Sequence, residues 1–199
     1  MPKAIVVHET GGTEVLSYEN IDINEPGPGE ARIVHKAIGL NYIDVYFRSG
    51  VYPFPKLPGI PGMEGAGVVE AVGEGVEVVK PGDRVAYAAA PPGAYISERN
   101  IKADQLVLLP EDFSFELGAA MMLQGMTVEY LVRRTYQIRP GDTVLVHAAA
   151  GGVGLMLCQW LNYLGATVIG TVGNDEKAVL ASNNGCHHPI NYRTEDWVS

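Results

Sequence analysis

The sequence predicts a mixed α/β protein in two parts, a β-rich N-terminal part and a C-terminal part that begins a doubly wound parallel sheet. Before about residue 110, short apolar and β-branched runs alternate with turns rich in glycine and proline. After Pro140, apolar runs alternate with helical patterns in the order β-α-β-α-β. The change of pattern places the boundary between residues 110 and 125, and we expect domains at 1–122 and 123–199.

In the first part, the apolar runs predict strands at 4–8, 32–37, 67–72, 84–88 and 106–109. Short strands joined by tight turns indicate a small barrel or sandwich. One helix is expected over 42–48. Ser114 is a good N-cap for a second helix, and a separate third helix is expected over 127–136.

In the second part, we expect strands at 143–147, 167–171 and 188–192, with helices at 152–164 and from 175 to near 185. The continuous apolar run 143–147 is typical of a buried parallel strand, so His147 at its end is expected to be a hydrogen-bonded core residue. At the end of the chain, residues 194–199 predict the start of a helix capped by Thr194.

Composition excludes several classes of function. The formal net charge is −9 and the basic residues are scattered, which argues against nucleic acid as a partner. No apolar run reaches the length of about 18 residues that a membrane span needs, and the N-terminal apolar run is too short for a signal peptide. The cysteines are only two, Cys158 and Cys186, which suits a reducing compartment. We expect a soluble, cytoplasmic protein without a membrane partner.

A glycine-rich turn between the first strand and helix of the second part carries the strongest functional signal. The residues AAGGVG at 149–154 meet the dinucleotide pattern G-x-G-x-x-G at its second and third glycines. Gly151 lets the backbone approach a pyrophosphate, and Gly154 lets the helix pack closely on the strand. The phosphates would lie at the helix N-terminus, where N–H groups and the helix dipole favour anions. The alternative is a turn that serves packing alone.

The end of the next strand indicates which dinucleotide fits. Proteins that bind NAD place a carboxylate there for the ribose 2′-hydroxyl, and residues 171–174 offer none. Lys177 is the nearest cation and could face a 2′-phosphate, with Gly173 leaving room and Tyr192 or Arg193 flanking it. Alternatively, Lys177 is simply a solvated helix residue. The pattern favours NADP over NAD.

Several motifs together resemble one family. The run 141–159 resembles the signature of the NADPH:quinone oxidoreductase and zeta-crystallin branch of the medium-chain dehydrogenase/reductase family. The resemblance lies in its glycine, alanine and glutamine positions. The last position of that signature, usually Lys or Arg, is Asn162 here. Further segments similar to this branch are 37–44, 48–53, 81–85, 125–127 and 190–192. The resemblance covers essentially the whole chain.

The resemblance implies a GroES-like N-terminal domain, a Rossmann cofactor domain, NADPH as cofactor and a small-molecule quinone or conjugated enone as acceptor. It implies that Asn41 and Thr127 lie near the nicotinamide. The positions it assigns to the cofactor are Asn41, Thr127, Ala150, Gly151, Gly152, Val153, Gly154, Gly173, Lys177 and Tyr192. The positions it assigns to catalysis and the border of the quinone are Asn41, Arg48, Tyr52 and Tyr46.

Each residue near the acceptor also has a structural alternative. Asn41 could cap the helix that follows it. Arg48 could pair on the surface, and Tyr46 or Tyr52 could be amphipathic residues at the edge of the core.

The resemblance also bears on metal. Zinc-dependent relatives have a cysteine near Asn41 and a Gly-His-Glu run, because catalytic zinc needs three protein ligands around an open position. Here the run is Gly62-Met63-Glu64, and Met63 cannot replace an imidazole. The closely spaced cysteines of a structural zinc site are missing as well. We therefore expect no metal, and we expect Glu64 to be a structural hydrogen-bonding residue.

Taken together, the sequence predicts zinc-independent, NADPH-dependent reduction of quinones. One alternative is an enal or enone reductase of the same branch, and another is a non-catalytic nucleotide-binding fragment. Residues 142–199 have room for only the first half of a doubly wound sheet, so we expect the N-terminal portion of a quinone oxidoreductase-like protein. The resemblance implies a homodimer, because members of the family often dimerise through the far edge of the Rossmann sheet, but that edge is absent here.

Overall fold

A computed structural model describes residues 1–88 and 91–197. It divides into two compact units, Met1–Leu123 and Gln124–Ser199. The strands and helices assigned wholly to the first unit are β1 (Lys3–Val7), β2 (Leu16–Asn20), β3 (Glu30–Ile38), α1 (Tyr42–Ser49), β4 (Glu64–Val72), β5 (Arg84–Ala88), β6 (Glu98–Lys102) and β7 (Val107–Leu108). Helix α2 (Phe115–Tyr130) begins in the first unit and ends in the second.

The first unit is built on an antiparallel sheet in the order β6-β3-β4-β5-β7, with β1 and β2 forming a separate pair. Alternate residues of the central strands point to one side, so that Ile33, Val69, Val85 and Tyr87 form a buried core. Bulges in the pairing of β3 with β4 bend these two long strands. This β-rich architecture agrees with the expected small barrel or sandwich.

The predicted strands of this part are confirmed, β5 at its predicted bounds and the others with shifted bounds, whereas β2 and β6 were not predicted. Their sequences, LSYEN and ERNIK, are largely polar, and Ile101 is their only buried residue. Both form antiparallel ladders with one neighbour, β2 with β1 and β6 with β3. Backbone hydrogen bonds to that neighbour define these strands, and such pairing leaves no apolar pattern in the sequence.

Helix α2 corrects the prediction of two separate helices around residue 125. It runs without a break from Phe115 to Tyr130 and continues as a π-helical turn, Leu131–Thr135. Gly125 does not end it, because one glycine in a helix interior costs only about 1 kcal/mol. The start is as expected, since the Leu117 backbone N–H donates to Ser114 Oγ at 3.1 Å.

The second unit confirms the first half of a doubly wound sheet. Its further elements are β8 (Thr143–Val146), α3 (Gly152–Tyr163), β9 (Thr167–Val172), α4 (Asp175–Asn183) and β10 (His188–Asn191). The strands are parallel in the order β10-β9-β8. Val146, Cys158, Leu161 and Val168 form the buried core of this unit.

Three expectations about this unit are wrong. β8 is not buried on both faces, because it is the edge strand of the described sheet and Leu145 is 47% exposed. For the same reason His147 is exposed, although its Nδ1 lies 3.2 Å from Thr171 Oγ1. No helix forms over 194–197, where Thr194 Oγ1 instead donates to the Asn191 carbonyl in a turn. Residues 198 and 199 of that predicted helix lie outside the described residues.

Within the described residues, no helix has both the length and the apolar character needed to cross a membrane.

Leu161 should contribute strongly to the stability of the second unit, because only 1% of it is exposed. We expect Leu161→Ala to lower the free energy of unfolding by about 2–5 kcal/mol, since it leaves a cavity in the core. Leu180, which is 43% exposed on α4, is the matched control, and Leu180→Ala should lower it by less than about 1 kcal/mol. Urea unfolding followed by circular dichroism measures both, and equal losses would contradict the assigned core.

Candidate functional site

The glycine-rich turn follows β8 and leads directly into α3. Gly151 is the N-cap of α3, and its backbone N–H donates to the Ala148 carbonyl at 2.8 Å. Ala148 itself has a positive φ of 53°, which marks a tight turn. The Ala149 N–H donates to the Thr171 carbonyl at 3.0 Å and fixes the turn against β9. The turn therefore lies at the carboxyl end of the sheet, where doubly wound folds bind ligands.

The glycines of this turn are needed for two different reasons. A Cβ atom at Gly154 would overlap the carbonyl oxygen of Ala148, so α3 packs as closely on the turn as expected. A Cβ atom at Gly152 would overlap the side-chain amide of Gln124. A Cβ atom at Gly151 would have one described neighbour within 4 Å, the Ala148 carbonyl oxygen at 3.2 Å. The space above Gly151 therefore admits a ligand close to the backbone.

These features fit the pyrophosphate of a dinucleotide. Helix α3 is 12 residues long, and its first hydrogen bond within the helix runs from the Leu155 N–H to the Gly151 carbonyl at 2.8 Å. The first N–H groups of a helix have no acceptor within the helix, and they attract anions together with the helix dipole. Ala150 and Val153, which the resemblance also assigns to the cofactor, are half-buried and pack against the core of this unit.

At the end of β9, two of the residues predicted to surround a 2′-phosphate lie together. A Cβ atom at Gly173 would be 2.9 Å from the hydroxyl oxygen of Tyr192, so the tyrosine ring borders the glycine. Lys177 is exposed on the first turn of α4, where its backbone N–H donates to the N-cap side chain of Asn174 at 2.9 Å. Thr127, which the resemblance places near the nicotinamide and not near the 2′-phosphate, is half-buried on α2.

Sequence reasoning missed a buried amide beside this site. Asn191, the last residue of β10, donates through Nδ2 to Asp175 Oδ1 at 2.8 Å. Asp175 is the first residue of α4. The signals in the sequence are a polar residue at the end of an apolar strand and the similarity of segment 190–192 to the family, and neither indicates Asp175 as the partner.

In the first unit, Asn41 is the N-cap of α1 and is held on two sides. Its backbone N–H donates to Asp44 Oδ2 at 2.9 Å, and its side-chain Nδ2 donates to Glu64 Oε1 at 2.6 Å. Glu64 is 1% exposed on β4, and its Oε2 accepts from the Leu123 N–H at 2.7 Å. Glu64 is thus the structural hydrogen-bonding residue that was expected, and the capping alternative for Asn41 also describes its position.

Burial dominates the electrostatics of this network. It raises the pKa of Glu64 above its ordinary value, against the opposing hydrogen bonds from Leu123 and Asn41. It also raises the pKa of Asp44, against hydrogen bonds from the Asn41 backbone and the Tyr95 hydroxyl. The Tyr95 hydroxyl donates to Asp44 Oδ2 at 2.9 Å, while Asp44 Oδ1 is buried without a hydrogen-bond partner among the described residues. The spacing of Asn41 and Asp44 is a capping signal, but nothing in the sequence indicated Tyr95.

The structure also brings together the tyrosines predicted to border a quinone. The rings of Tyr46 and Tyr52 have centroids 5.2 Å apart, and the Tyr52 N–H donates to the Tyr46 carbonyl at 3.0 Å. Tyr42 packs edge-on against Tyr46, also at 5.2 Å. Tyr42 and Tyr52 are exposed, so these three rings form an aromatic surface along α1 and the turn after it.

Arg48 lies at the end of α1 and contacts a glycine loop. Its Nη1 donates to the Gly11 carbonyl at 2.9 Å, and the Gly11 N–H donates to the Arg48 carbonyl at 2.9 Å. The side chain is partly buried and fixes the loop after β1 on the helix.

Across residues 1–88 and 91–197, no group of three or more histidine, cysteine, aspartate or glutamate side chains is arranged to hold a metal ion.

The two units define an enzyme class that pairs a GroES-like domain with a Rossmann-type domain. Residues 27–140 match the family model described as the alcohol dehydrogenase GroES-like domain, and residues 152–199 match that described as zinc-binding dehydrogenase. The chain belongs to the medium-chain dehydrogenase/reductase family.

Within this family, the chain is similar to quinone oxidoreductases. It is 52% identical over 196 residues to quinone oxidoreductase of Pseudomonas aeruginosa, covering 98% of this chain and 60% of the relative. Its structure is similar to the crystal structure of Escherichia coli quinone oxidoreductase complexed with NADPH, with a TM-score of 0.96 and 50% sequence identity. The match covers 98% of this chain and 60% of the Escherichia coli chain. It is 45% identical over 204 residues to 2-haloacrylate reductase of Burkholderia sp, covering all of this chain and 61% of the relative. The resemblance seen in the sequence is confirmed, and the chain spans about 60% of the length of these relatives.

The raised pKa of Asp44 gives a testable pH dependence. Between the ordinary pKa of 3.8 and the raised pKa, the folded state holds a proton on Asp44 that the unfolded state has lost. The free energy of unfolding therefore decreases as the pH rises from 3.8 to the raised value. We expect this decrease to be smaller in Asp44→Asn, which cannot titrate there.

Urea unfolding from about pH 4 to about pH 7 measures the difference between the two proteins. Asp104→Asn, which removes an exposed carboxylate of the same unit, is the matched control. An identical pH dependence in wild type and Asp44→Asn would contradict the role assigned to burial.

Proposed function

We propose that the protein reduces quinones with NADPH and without zinc. The observation that carries the proposal is the pairing of an open glycine turn at the N-terminus of α3 with the Gly173–Tyr192 contact at the end of β9. The first feature suits a pyrophosphate, and the second leaves room for a 2′-phosphate where NAD-binding proteins carry a carboxylate. The similarity to a quinone oxidoreductase crystallised with NADPH supports this.

In this proposal, residues 123–199 form the first half of the cofactor domain. The backbone of Ala150, Gly151, Gly152, Val153 and Gly154 holds the pyrophosphate, because the N–H groups at a helix start are positioned before the ligand arrives. Gly173, Tyr192 and the ammonium group of Lys177 surround the adenosine 2′-phosphate. When bound, NADPH supplies the hydride or electrons that reduce the acceptor.

Residues 1–122 form the GroES-like catalytic domain of the proposal. Asn41 and Thr127 lie near the nicotinamide, and the Asn41 amide is fixed in orientation because its Nδ2 donates to the buried Glu64 carboxylate. A fixed amide needs no reorganisation when charge develops beside it.

The aromatic surface is proposed to border the quinone. Flat rings favour offset or edge contacts with Tyr46 and Tyr52, and the tyrosine hydroxyls can donate to the oxygen that becomes negative on the acceptor. Arg48 uses Nη1 for the Gly11 carbonyl, and a guanidinium has further N–H donors for the acceptor.

Independence from zinc follows from the side chains at the positions where zinc-dependent relatives have ligands. The Asn41 Nδ2 is a donor and is bound to Glu64, and Met63 is a buried thioether. Catalytic zinc is held by histidine, cysteine and carboxylate ligands. The partner we propose is therefore a small quinone handled by hydride or electron transfer alone.

The cytoplasm is the proposed location. Cys158 and Cys186 are both buried free thiols, which suits a reducing compartment. The net charge of −9 argues against nucleic acid as a partner.

Reduction of an enal or enone is the second candidate activity, and the similarity to 2-haloacrylate reductase favours it. A panel of quinones and alkenals separates the two, since only the acceptor differs. A third possibility, a nucleotide-binding fragment without turnover, predicts NADPH binding with no oxidation of NADPH by any acceptor.

The role of Lys177 can be tested by binding alone. We expect Lys177→Ala to weaken NADPH binding by about tenfold and to leave NADH binding within about twofold, because only NADPH carries the 2′-phosphate. Arg139→Ala is the control, since Arg139 is an exposed cation just before β8, away from the carboxyl ends of the strands. Fluorescence titration measures both nucleotides, and equal losses for NADPH and NADH would refute the assignment.

The zinc-independent mechanism predicts insensitivity to chelation. NADPH oxidation with added quinone should change by less than about twofold after dialysis against a strong chelator, because no step needs a metal ligand. Elemental analysis of the dialysed protein confirms metal removal. Activity that is lost on dialysis and restored by zinc would overturn the proposal.

A further inference from the structure

Asn191 lies between the two segments that form the proposed 2′-phosphate site. It ends β10, immediately before Tyr192, and is only 6% exposed. Its Nδ2 donates to Oδ1 of Asp175, the first residue of α4. The amide therefore joins the end of β10 to the start of the helix that carries Lys177.

The other polar atoms of Asn191 prevent its amide from turning away. Oδ1 accepts from the Arg193 N–H at 3.2 Å, and the backbone N–H donates to Glu195 Oε1 at 2.8 Å. The Asn191 carbonyl accepts from the Thr194 N–H at 3.0 Å. With Oδ1 held by the turn, Nδ2 stays directed at Asp175.

Asp175 is an exposed carboxylate two residues after Gly173. A carboxylate at this end of a strand favours the ribose 2′-hydroxyl of NAD and repels a 2′-phosphate. The hydrogen bond at 2.8 Å holds the Asp175 carboxylate against β10. Without it, the side chain would be free to adopt its other staggered rotamers and to compete for the N–H groups at the start of α4.

We propose that Asn191 is a positioning residue that sets the preference for NADPH over NADH, by holding the Asp175 carboxylate away from the 2′-phosphate. This inference rests on the proposed function, since it requires that the site bind NADPH. Asn191 acts through Asp175 and does not itself contact the nucleotide. A carboxylate and a phosphate that approach to about 7 Å in water repel one another enough to change affinity by about three- to tenfold.

The test measures dissociation constants for NADPH and NADH by calorimetry, with no turnover required. The proteins are the wild type, Asn191→Ala, Asp175→Asn and the double variant. We expect Asn191→Ala to lower the preference for NADPH by about three- to tenfold, because the carboxylate is released. Asp175→Asn should keep the wild-type preference within about twofold, and the double variant should match it because no charge remains to repel the phosphate.

The double variant distinguishes an effect of the Asp175 charge from an effect of a loosened turn around Tyr192. If Asn191→Ala acts only by loosening the turn around Tyr192, removing the charge of Asp175 will not restore the preference, and the inference is wrong. An unchanged preference in Asn191→Ala would also overturn it.

Asn191→Asp covers the case in which Asn191→Ala does not fold. It keeps an oxygen for the Arg193 N–H but replaces the donor to Asp175 by a second carboxylate, so the preference should fall at least as far. An undiminished preference in this variant would contradict the inference. A wild type with no preference for NADPH would instead refute the proposed function, and this inference with it.

Discussion

The first unit depends on the hydrogen bonds that the buried carboxylate of Glu64 accepts. This carboxylate lies on β4, accepts the Asn41 amide at the start of α1 and accepts the Leu123 N–H in α2. Burying a charge is unfavourable unless it is hydrogen-bonded, and two donors in fixed positions offset that cost. One side chain thereby sets the positions of a strand and two helices, and the amide proposed to face the nicotinamide is oriented by the same bond. Asp44 and Tyr95 extend the network, and burial raises the pKa of both acids against the hydrogen bonds that they accept.

The second unit relies on a different constraint, the close approach of backbone to backbone. Gly154 brings α3 against the Ala148 carbonyl, and Gly173 leaves space that the Tyr192 hydroxyl borders. The turn that Gly154 packs against follows β8 and Gly173 follows β9, so both lie at the carboxyl ends of parallel strands, where helix N-termini and turns converge. Binding here is attributed to the backbone for the pyrophosphate and to a few side chains for the 2′-phosphate. In the proposed site, those side chains decide between two nucleotides that differ by one phosphate, and the hydrogen bond from Asn191 to Asp175 lies beside them.

Secondary structure was predicted correctly from the sequence where it depends on neighbouring residues. The prediction failed where a segment takes its structure from a partner elsewhere in the chain. The glycine turn, the Ser114 cap and the parallel strands follow from local spacing. β2 and β6 do not, because their polar sequences become strands only by pairing with β1 and β3. The apolar run 143–147 predicts a buried strand, whereas β8 is at an edge of the described sheet, so Leu145 and His147 are exposed. The residues after β10 form a turn because Asn191 accepts their N–H groups.

The sequence by itself determined the family, the two-part α/β fold and the identity of most residues proposed for the cofactor, since glycine spacing and strand patterns are local properties of the chain. Only the tertiary structure decided which side chains meet. It joined Asn41 to Glu64 across 23 positions of sequence and Asn191 to Asp175 across 16. The physical reason is that a buried polar atom must find a hydrogen-bond partner wherever the fold brings one, and the sequence does not specify the distances between such partners.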